Sequence, residues 1–232
     1  RSVRDEGVRG ERFDAVVSCL ATRTGGVADA WRVEHDAHRN VLDAVRPTRP
    51  HFVLLSAICV QRPQLAFQAA KLAFERALVD SGLPYAIVRP TAFFKSLSGQ
   101  VERVRRGKPF LVFGDGELTA CKPIGEADLA RYLAACLEDP AKRDAVLPIG
   151  GPGPAITPRA QGELLFSLLG RPPRFRHVPV ALLDAIALSL SAGGRLVPAL
   201  RDKAELARIG RFYATESMLL WDEEKGAYDA EA

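Results

Sequence analysis

Cysteine is sparse in this 232-residue chain, and the four present, Cys19, Cys59, Cys121 and Cys136, form no CxxC pair. That argues against a small secreted disulfide scaffold and fits a reducing compartment. Cys19 and Cys59 fall at the ends of predicted buried strands, where a free thiol behaves as a small hydrophobe. A strong charge of one sign is also missing. The 32 basic and 28 acidic residues leave a scattered surplus of +4, which argues against a nucleic-acid partner. No apolar run is long enough to span a bilayer, because the best candidate, 178–200, is interrupted by Asp184, Gly193, Gly194, Arg195 and Pro198. The first ten residues are charged and lack the apolar core of a signal peptide. Internal repeats and low-complexity segments are absent too.

What is present is an ordinary globular composition, 47% hydrophobic and 26% charged, with length for one large α/β domain or two small ones. Phe13 to Ser18 reads as a valine-rich strand, and the loop Cys19–Gly26 leaves it. From Asp29 to Val45 a helix is predicted, with Trp31, His35, His38, Leu42 and Val45 at three- and four-residue spacing. His51 to Ser56 is a buried strand ending in a hydroxyl. A helix from about Leu65 to Asp80 follows, with Phe67, Ala70, Phe74, Ala77 and Leu78 as its apolar stripe and Gly82 as a left-handed cap. Tyr85 to Pro90 is a second buried strand, opening into Thr91–Lys95. Further on, the pattern predicts helices over 97–106, 126–138, 157–170, 180–190 and 201–212. Strands are predicted at 110–116 and 146–150, and a last one at 217–221. Thr157–Pro158 is a capping hydroxyl followed by proline in the first turn.

Strands alternating with helices predict a doubly wound, Rossmann-like parallel sheet of the α/β class, since parallel strands need crossover connections. In such a sheet Ser56, Lys71 and Thr91 come together at the carboxyl ends of the strands, where these folds build their ligand sites. A lysine there can hold the hydroxyls of a cofactor ribose and lower the pKa of a neighbouring acid. The plain alternative is a strand-end serine and a surface lysine. The glycine-rich strand–turn–helix of a nucleotide-binding half is missing. Gly150-Gly-Pro-Gly153 runs into Pro154 and not into a helix, so its amides cannot cradle a pyrophosphate. His35 and His38 lie three apart without a carboxylate or cysteine to complete a metal site. Cys121 has no activating neighbour in sequence.

Several long runs carry a family resemblance. They are Val17-Ser-Cys-Leu-Ala21, Thr24-Gly-Gly26, Phe52 to Val60, Phe67-Gln-Ala-Ala-Lys71, Ile87 to Ser96, Phe113-Gly-Asp-Gly116, Ala120-Cys-Lys-Pro123, Leu147 to Gly153 and Ile209-Gly-Arg211. The chain resembles the atypical, NmrA-like branch of the short-chain dehydrogenase superfamily, and within it the divinyl chlorophyllide a 8-vinyl-reductases.

That resemblance implies NADPH as cofactor and reduction of the 8-vinyl group of a divinyl chlorophyllide, or a related magnesium porphyrin, to ethyl. It implies a tetrapyrrole partner and no nucleic acid, in a chloroplast or a bacterial cytoplasm. The alternatives are another NmrA-like reductase of a conjugated substrate, or a non-catalytic dinucleotide-binding regulator. The resemblance also implies that residues 1–150 are the C-terminal part of an NAD(P)-binding domain, with 151–232 a smaller α+β substrate region on the same core. Phe13–Ser18 would then be about the fourth strand of the full sheet, and the piece alone is expected to be inactive.

By the same resemblance Lys71 and Ser56 are the catalytic positions. Ser18, Cys19, Leu20, Ser56, Lys71, Pro90, Thr91, Ala92 and Phe93 surround the nicotinamide and its ribose. One departure stands out. The superfamily's Tyr-x-x-x-Lys pair is here Phe67-x-x-x-Lys71, so the usual proton donor is gone. Arg89 either joins the site or simply pairs with a neighbouring helix. The apolar helix 180–190 either packs normally, covers a flat macrocycle or touches a membrane surface.

Overall fold

The computed structural model describes residues 7–8, 11–194, 197 and 199–231. Most of the charged start at 1–12, together with Arg195 and Pro198, lies outside them. In chain order the strands are β1 (Ala15–Ser18), β2 (His51–Leu55), β3 (Tyr85–Pro90), β4 (Phe110–Phe113), β5 (Ala145–Ile149), β6 (Phe175–Val178), β7 (Leu220–Asp222) and β8 (Ala227–Asp229). The helices are α1 (Val27–Ala30), α2 (His38–Val45), α3 (Ala66–Asp80), α4 (Phe94–Leu97), α5 (Val101–Arg105), α6 (Glu126–Glu138), α7 (Pro158–Leu168), α8 (Val180–Gly193) and α9 (Ala199–Thr215). They group into two compact units, 1–90 with 127–149, and 91–126 with 150–232.

The first unit is a four-stranded, all-parallel sheet in the order β1-β2-β3-β5. Phe52, Val53, Ala86, Ile87 and Val88 are completely buried. Burial of consecutive residues on both faces is what a parallel sheet covered by helices demands. Leu42 and Val45 of α2 and Phe74 and Leu78 of α3 close over Phe52, Leu54 and Ile87 to form the core. Gly82, at φ +70°, ends α3 in the left-handed conformation that glycine adopts without strain.

Two features of this unit decide where the functional side chains go. The first is a π-helical segment, Trp31–Ala37, joining α1 to α2 without a break. Its wider turn stacks residues four apart on one face, so Ala30, Glu34, His38 and Leu42 point inward. The predicted apolar stripe places Trp31 and His35 on that face. In the structure Trp31 is exposed and His35 half-buried. The second is Gln68, fully buried in the first turn of α3. Its Oε1 accepts from the Gln64 and Leu65 N–H groups at 2.7 and 3.0 Å, and its Nε2 donates to the Cys59 carbonyl at 3.0 Å. These bonds satisfy the amides that a helix start leaves without partners. They also anchor α3 to the turn after β2, one turn before Lys71.

The second unit pairs β4 with β6 in parallel and β7 with β8 as an antiparallel hairpin. Val104, Phe110, Val112 and Phe166 form its core. Thr157 caps α7 by accepting the Ala160 N–H at 3.2 Å. The predicted helix over 97–106 is instead two short helices joined by a 3-10 turn at Ser98–Gln100. There Ser98 donates its hydroxyl to the Lys95 carbonyl at 2.7 Å, the local bond by which serine competes with helix. The predicted strand at 217–221 begins later, at Leu220. Ser217 and Met218 are used to hold Ala120 and Cys121. β6 was hidden by its sequence, Phe-Arg-His-Val after two prolines, which shows no apolar alternation.

Gly151 shows why the cluster Gly150–Gly153 is rich in glycine. Its N–H donates to the Lys122 carbonyl at 3.0 Å, and a Cβ at this position would lie 2.0 Å from the Pro123 carbonyl oxygen. The glycines allow two backbone segments to touch. No helix among the described residues is long and apolar enough to cross a membrane. The face of α8 nevertheless exposes Leu182, Ile186 and Leu188.

Candidate active site

The carboxyl ends of β1, β2 and β3 carry Ser18, Leu55–Ser56 and Pro90. The strands are in register, with Ser18 opposite Leu54 and Leu55 opposite Val88. Ser18, Ser56 and Pro90 are buried, whereas Cys19 and Leu20 are exposed in the loop leaving β1. Cys19 therefore is not the packed thiol expected at a strand end. Burial still pushes its pKa up, and Lys71 pulls it down. Ser56 and Lys71 line one narrow crevice together with Glu34, His38, Leu54, Leu55 and Phe74. Thr91, Ala92 and Phe93 belong to the second unit. There Thr91 donates its hydroxyl to the Lys122 carbonyl, the Ala92 carbonyl accepts the Ile124 N–H at 2.9 Å, and Phe93 bridges to Ile124.

Two buried acid–base pairs flank α3. Lys71 Nζ lies 2.7 Å from Glu34 Oε2, with side-chain exposures of 11% and 1%. This approach is a charge contact, not an aligned hydrogen bond, because that oxygen has no hydrogen-bond partner. Glu34 Oε1 accepts the Thr22 N–H at 2.8 Å. On the next turn of α3, Glu75 receives a bidentate fork from Arg89, one arm at 3.2 Å. Arg89 thus takes the helix-pairing role. Glu75 also accepts the Ser56 hydroxyl proton, with Oγ to Oε1 at 2.5 Å.

That last bond changes what the site can do. A serine in this position serves a carbonyl reductase by donating its O–H to the developing oxyanion. Here the single proton of Ser56 is committed to a carboxylate fixed by an arginine. Phe67, four residues before Lys71 and half-buried, has no proton either. Both donors that carbonyl chemistry uses at these two positions are therefore absent or occupied.

The residues fit part of a nicotinamide dinucleotide. Lys71, Ser56 and Ser18 set polar atoms at the strand ends, where a ribose and nicotinamide bind in this fold. A pyrophosphate fits poorly. The Gly25–Gly26 turn does open α1, but Asp29 occupies that helix start. Its carboxylate accepts the hydroxyls of Thr22 and Thr24, both at 2.7 Å, and its pKa is held well below the usual carboxylate range chiefly by those bonds. Among the described residues no cluster of His, Cys, Asp and Glu could hold a metal ion. Cys121, at the 120–123 motif, is buried, and burial raises its pKa to about 11. It is a neutral thiol at physiological pH.

Glu34, Glu75 and Gln68 carry no sequence signal of their own, since charged or amide residues on predicted helices normally mark solvated faces. His38, beneath Lys71, donates its Nδ1–H to the Val33 carbonyl at 3.1 Å. Burial, reinforced by Lys71, depresses its pKa below 6.5. The unfolded chain therefore binds a proton that the folded chain refuses, so stability declines as pH drops through about 6.5. Urea unfolding at a series of pH values is expected to show this slope, and His38→Gln to reduce it, leaving the part due to His51, whose pKa burial also lowers. An unchanged slope in the variant would rule His38 out as its source.

The NAD(P)H-binding family matches residues 9–140. The chain is 55% identical over 225 residues to the chloroplastic divinyl chlorophyllide a 8-vinyl-reductase of Cucumis sativus, covering 94% of this chain and 54% of that protein. The Zea mays protein of the same name is 55% identical over 223 residues, covering 94% and 56%. The chain thus spans about half the length of the curated relatives it matches. Among solved structures, a nucleoside-diphosphate-sugar epimerase from Staphylococcus aureus superimposes with a TM-score of 0.67 at 14% identity, over 91% of this chain and 72% of that one. At that identity the likeness concerns the fold, a Rossmann-like parallel α/β sheet. With more than half of its residues matched and the sheet to go with them, the chain belongs to the NAD(P)H-binding family.

Proposed function

We propose that the complete protein is an oxidoreductase that uses NADPH to reduce the 8-vinyl group of divinyl chlorophyllide a, or a related divinyl magnesium porphyrin, to ethyl in the chloroplast. The observation that carries this reading is the lack of an available proton at the two donor positions, Phe67 and Ser56. Carbonyl reduction needs a donor to the oxygen, and a positioned acid is worth roughly 10²–10⁴ in rate. Hydride addition to a vinyl conjugated with a macrocycle spreads negative charge over the ring, so protonation can follow from water. NADPH, when bound, supplies the hydride. Of this chain's residues, Lys71 and Ser56 are the catalytic positions; with Ser18, Cys19, Leu20 and Pro90 they hold the nicotinamide and its ribose. Residues 151–232 form the substrate region, and the apolar surface of α8 suits a flat pigment. The names of the relatives point the same way.

Absorption spectroscopy tests the reading. The protein expressed from its complete coding sequence, mixed with NADPH and divinyl chlorophyllide, is expected to shift the Soret band to the blue as the vinyl leaves conjugation. An unmoved band in the presence of measurable NADPH binding would replace this reading with a dinucleotide-binding regulator.

A further inference from the structure

The Lys71–Glu34 pair has a consequence for the chemistry of the site. In a Tyr-x-x-x-Lys site the lysine must keep its charge uncompensated, because that charge lowers the pKa of the phenol. In this chain the phenol is replaced by Phe67, and the lysine ammonium lies against a carboxylate that is 1% exposed. The two features belong together. Without an acid to tune, the charge has no task, and an unpaired ammonium on a side chain only 11% exposed would be costly.

We propose that Glu34 is a positioning residue that fixes Lys71 and cancels its charge, so the strand-end site offers N–H donors to neutral hydroxyls and does not attract an anion. This deepens the function proposed above and rests on the placement of Lys71 at the cofactor ribose. Every group facing Lys71 fits. On the π-helical segment Glu34 supplies the counter-charge, and on α2 His38 is kept neutral by burial. At the end of β1 partial burial raises the pKa of the Cys19 thiol despite Lys71. On β2 Ser56 is neutral, and on α3 Glu75 is already matched by Arg89. The contact with Glu34 is a charge contact and not an aligned hydrogen bond, so the Lys71 ammonium keeps N–H donors for a pair of ribose hydroxyls. Glu34 is the buried residue of the π-helical segment, one turn before the buried His38, and the following His35 is only half-buried.

A reporter phenol tests this without cofactor or pigment. Phe67→Tyr places a tyrosine four residues before Lys71, within neighbour distance on α3. Its titration can be followed by NMR of ¹³Cζ-labelled tyrosine, apart from Tyr85, Tyr132, Tyr213 and Tyr228. With Glu34 in place the new phenol is expected to titrate at or above the ordinary tyrosine value of about 10. Adding Glu34→Gln restores the lysine charge and is expected to lower that value by about one unit, a tenfold rise in acid dissociation constant. Glu34→Asp, which withdraws the carboxylate by one methylene, falls between. A phenol already depressed by a unit or more in the single variant would overturn the proposal. So would a phenol indifferent to Glu34→Gln. If Glu34→Gln fails to fold, the single variant and Glu34→Asp still decide. A failed pigment assay leaves this titration untouched, so the two ideas fail separately.

Discussion

Replacing Glu75 with alanine is expected to destabilise the first unit by about 3–5 kcal/mol, seen as a lowered urea midpoint with little change in the slope of the transition. Glu75 is 4% exposed and serves two partners at once. Removing it leaves the Arg89 guanidinium, four-fifths buried, without its bidentate acceptor, and strands a buried hydroxyl on Ser56. An unpaired buried charge accounts for most of the loss and the orphaned hydroxyl for the rest. Because a domain is stable by only about 5–15 kcal/mol in total, the variant would sit near the edge of folding. Glu75→Gln should recover part of the loss, since an amide oxygen can still accept from Ser56 or Arg89 but carries no charge. A cost under about 1 kcal/mol for the alanine variant would mean that Arg89 finds solvent or another acceptor, and would remove Glu75 from its role of holding the Ser56 proton.

How far the site could be read from the sequence follows from which interactions are local. β2, α3 and β3 were legible because their apolar residues repeat with the period of the element that buries them. Lys71 was legible because it lies four residues from Phe67 in a recognisable run. The partners of these residues were not. Glu34 is 37 positions from Lys71, and it lies buried on the π-helical segment Trp31–Ala37, where nothing in the sequence marks it as a partner of Lys71. The apolar stripe read from the sequence counts Trp31 and His35 on that face and passes over Glu34, because a carboxylate on a helix reads as a solvated residue. Glu75 and Arg89 come from different elements, and their pairing depends on the helix-to-strand packing that a one-dimensional pattern omits. Gln68 looks like an exposed amide until the turn at Cys59 is folded beneath it. The apolar core is thus encoded in short repeats, while the polar core depends on the finished fold. β6 escaped detection for a related reason. Its exposed arginine and histidine leave no alternation, and parallel pairing with β4 alone makes it a strand.

Lys71→Met is expected to lower stability by about 3–5 kcal/mol, because the carboxylate of Glu34 is left in a nearly closed crevice without its counter-charge. This loss has a specific remedy. Glu34→Gln in the same chain removes the orphaned charge while keeping an oxygen for the Thr22 N–H, so the double variant should regain most of the stability. Each single change leaves one buried charge alone and the double change leaves none. The coupling in a double-mutant cycle is therefore expected to reach about 2–3 kcal/mol, at the upper end for residues in contact. Function separates from stability in the same cycle. In the protein made from its complete coding sequence, the double variant folds but has lost the lysine donors, so NADPH binding should remain weakened. Each charge-assisted hydrogen bond lost costs about 1.5–3 kcal/mol, or roughly tenfold to a hundredfold in Kd. Stability that returns while affinity stays low would place Lys71 on the ribose and Glu34 behind it. Recovery of both would make the pair a structural device with no part in holding the cofactor.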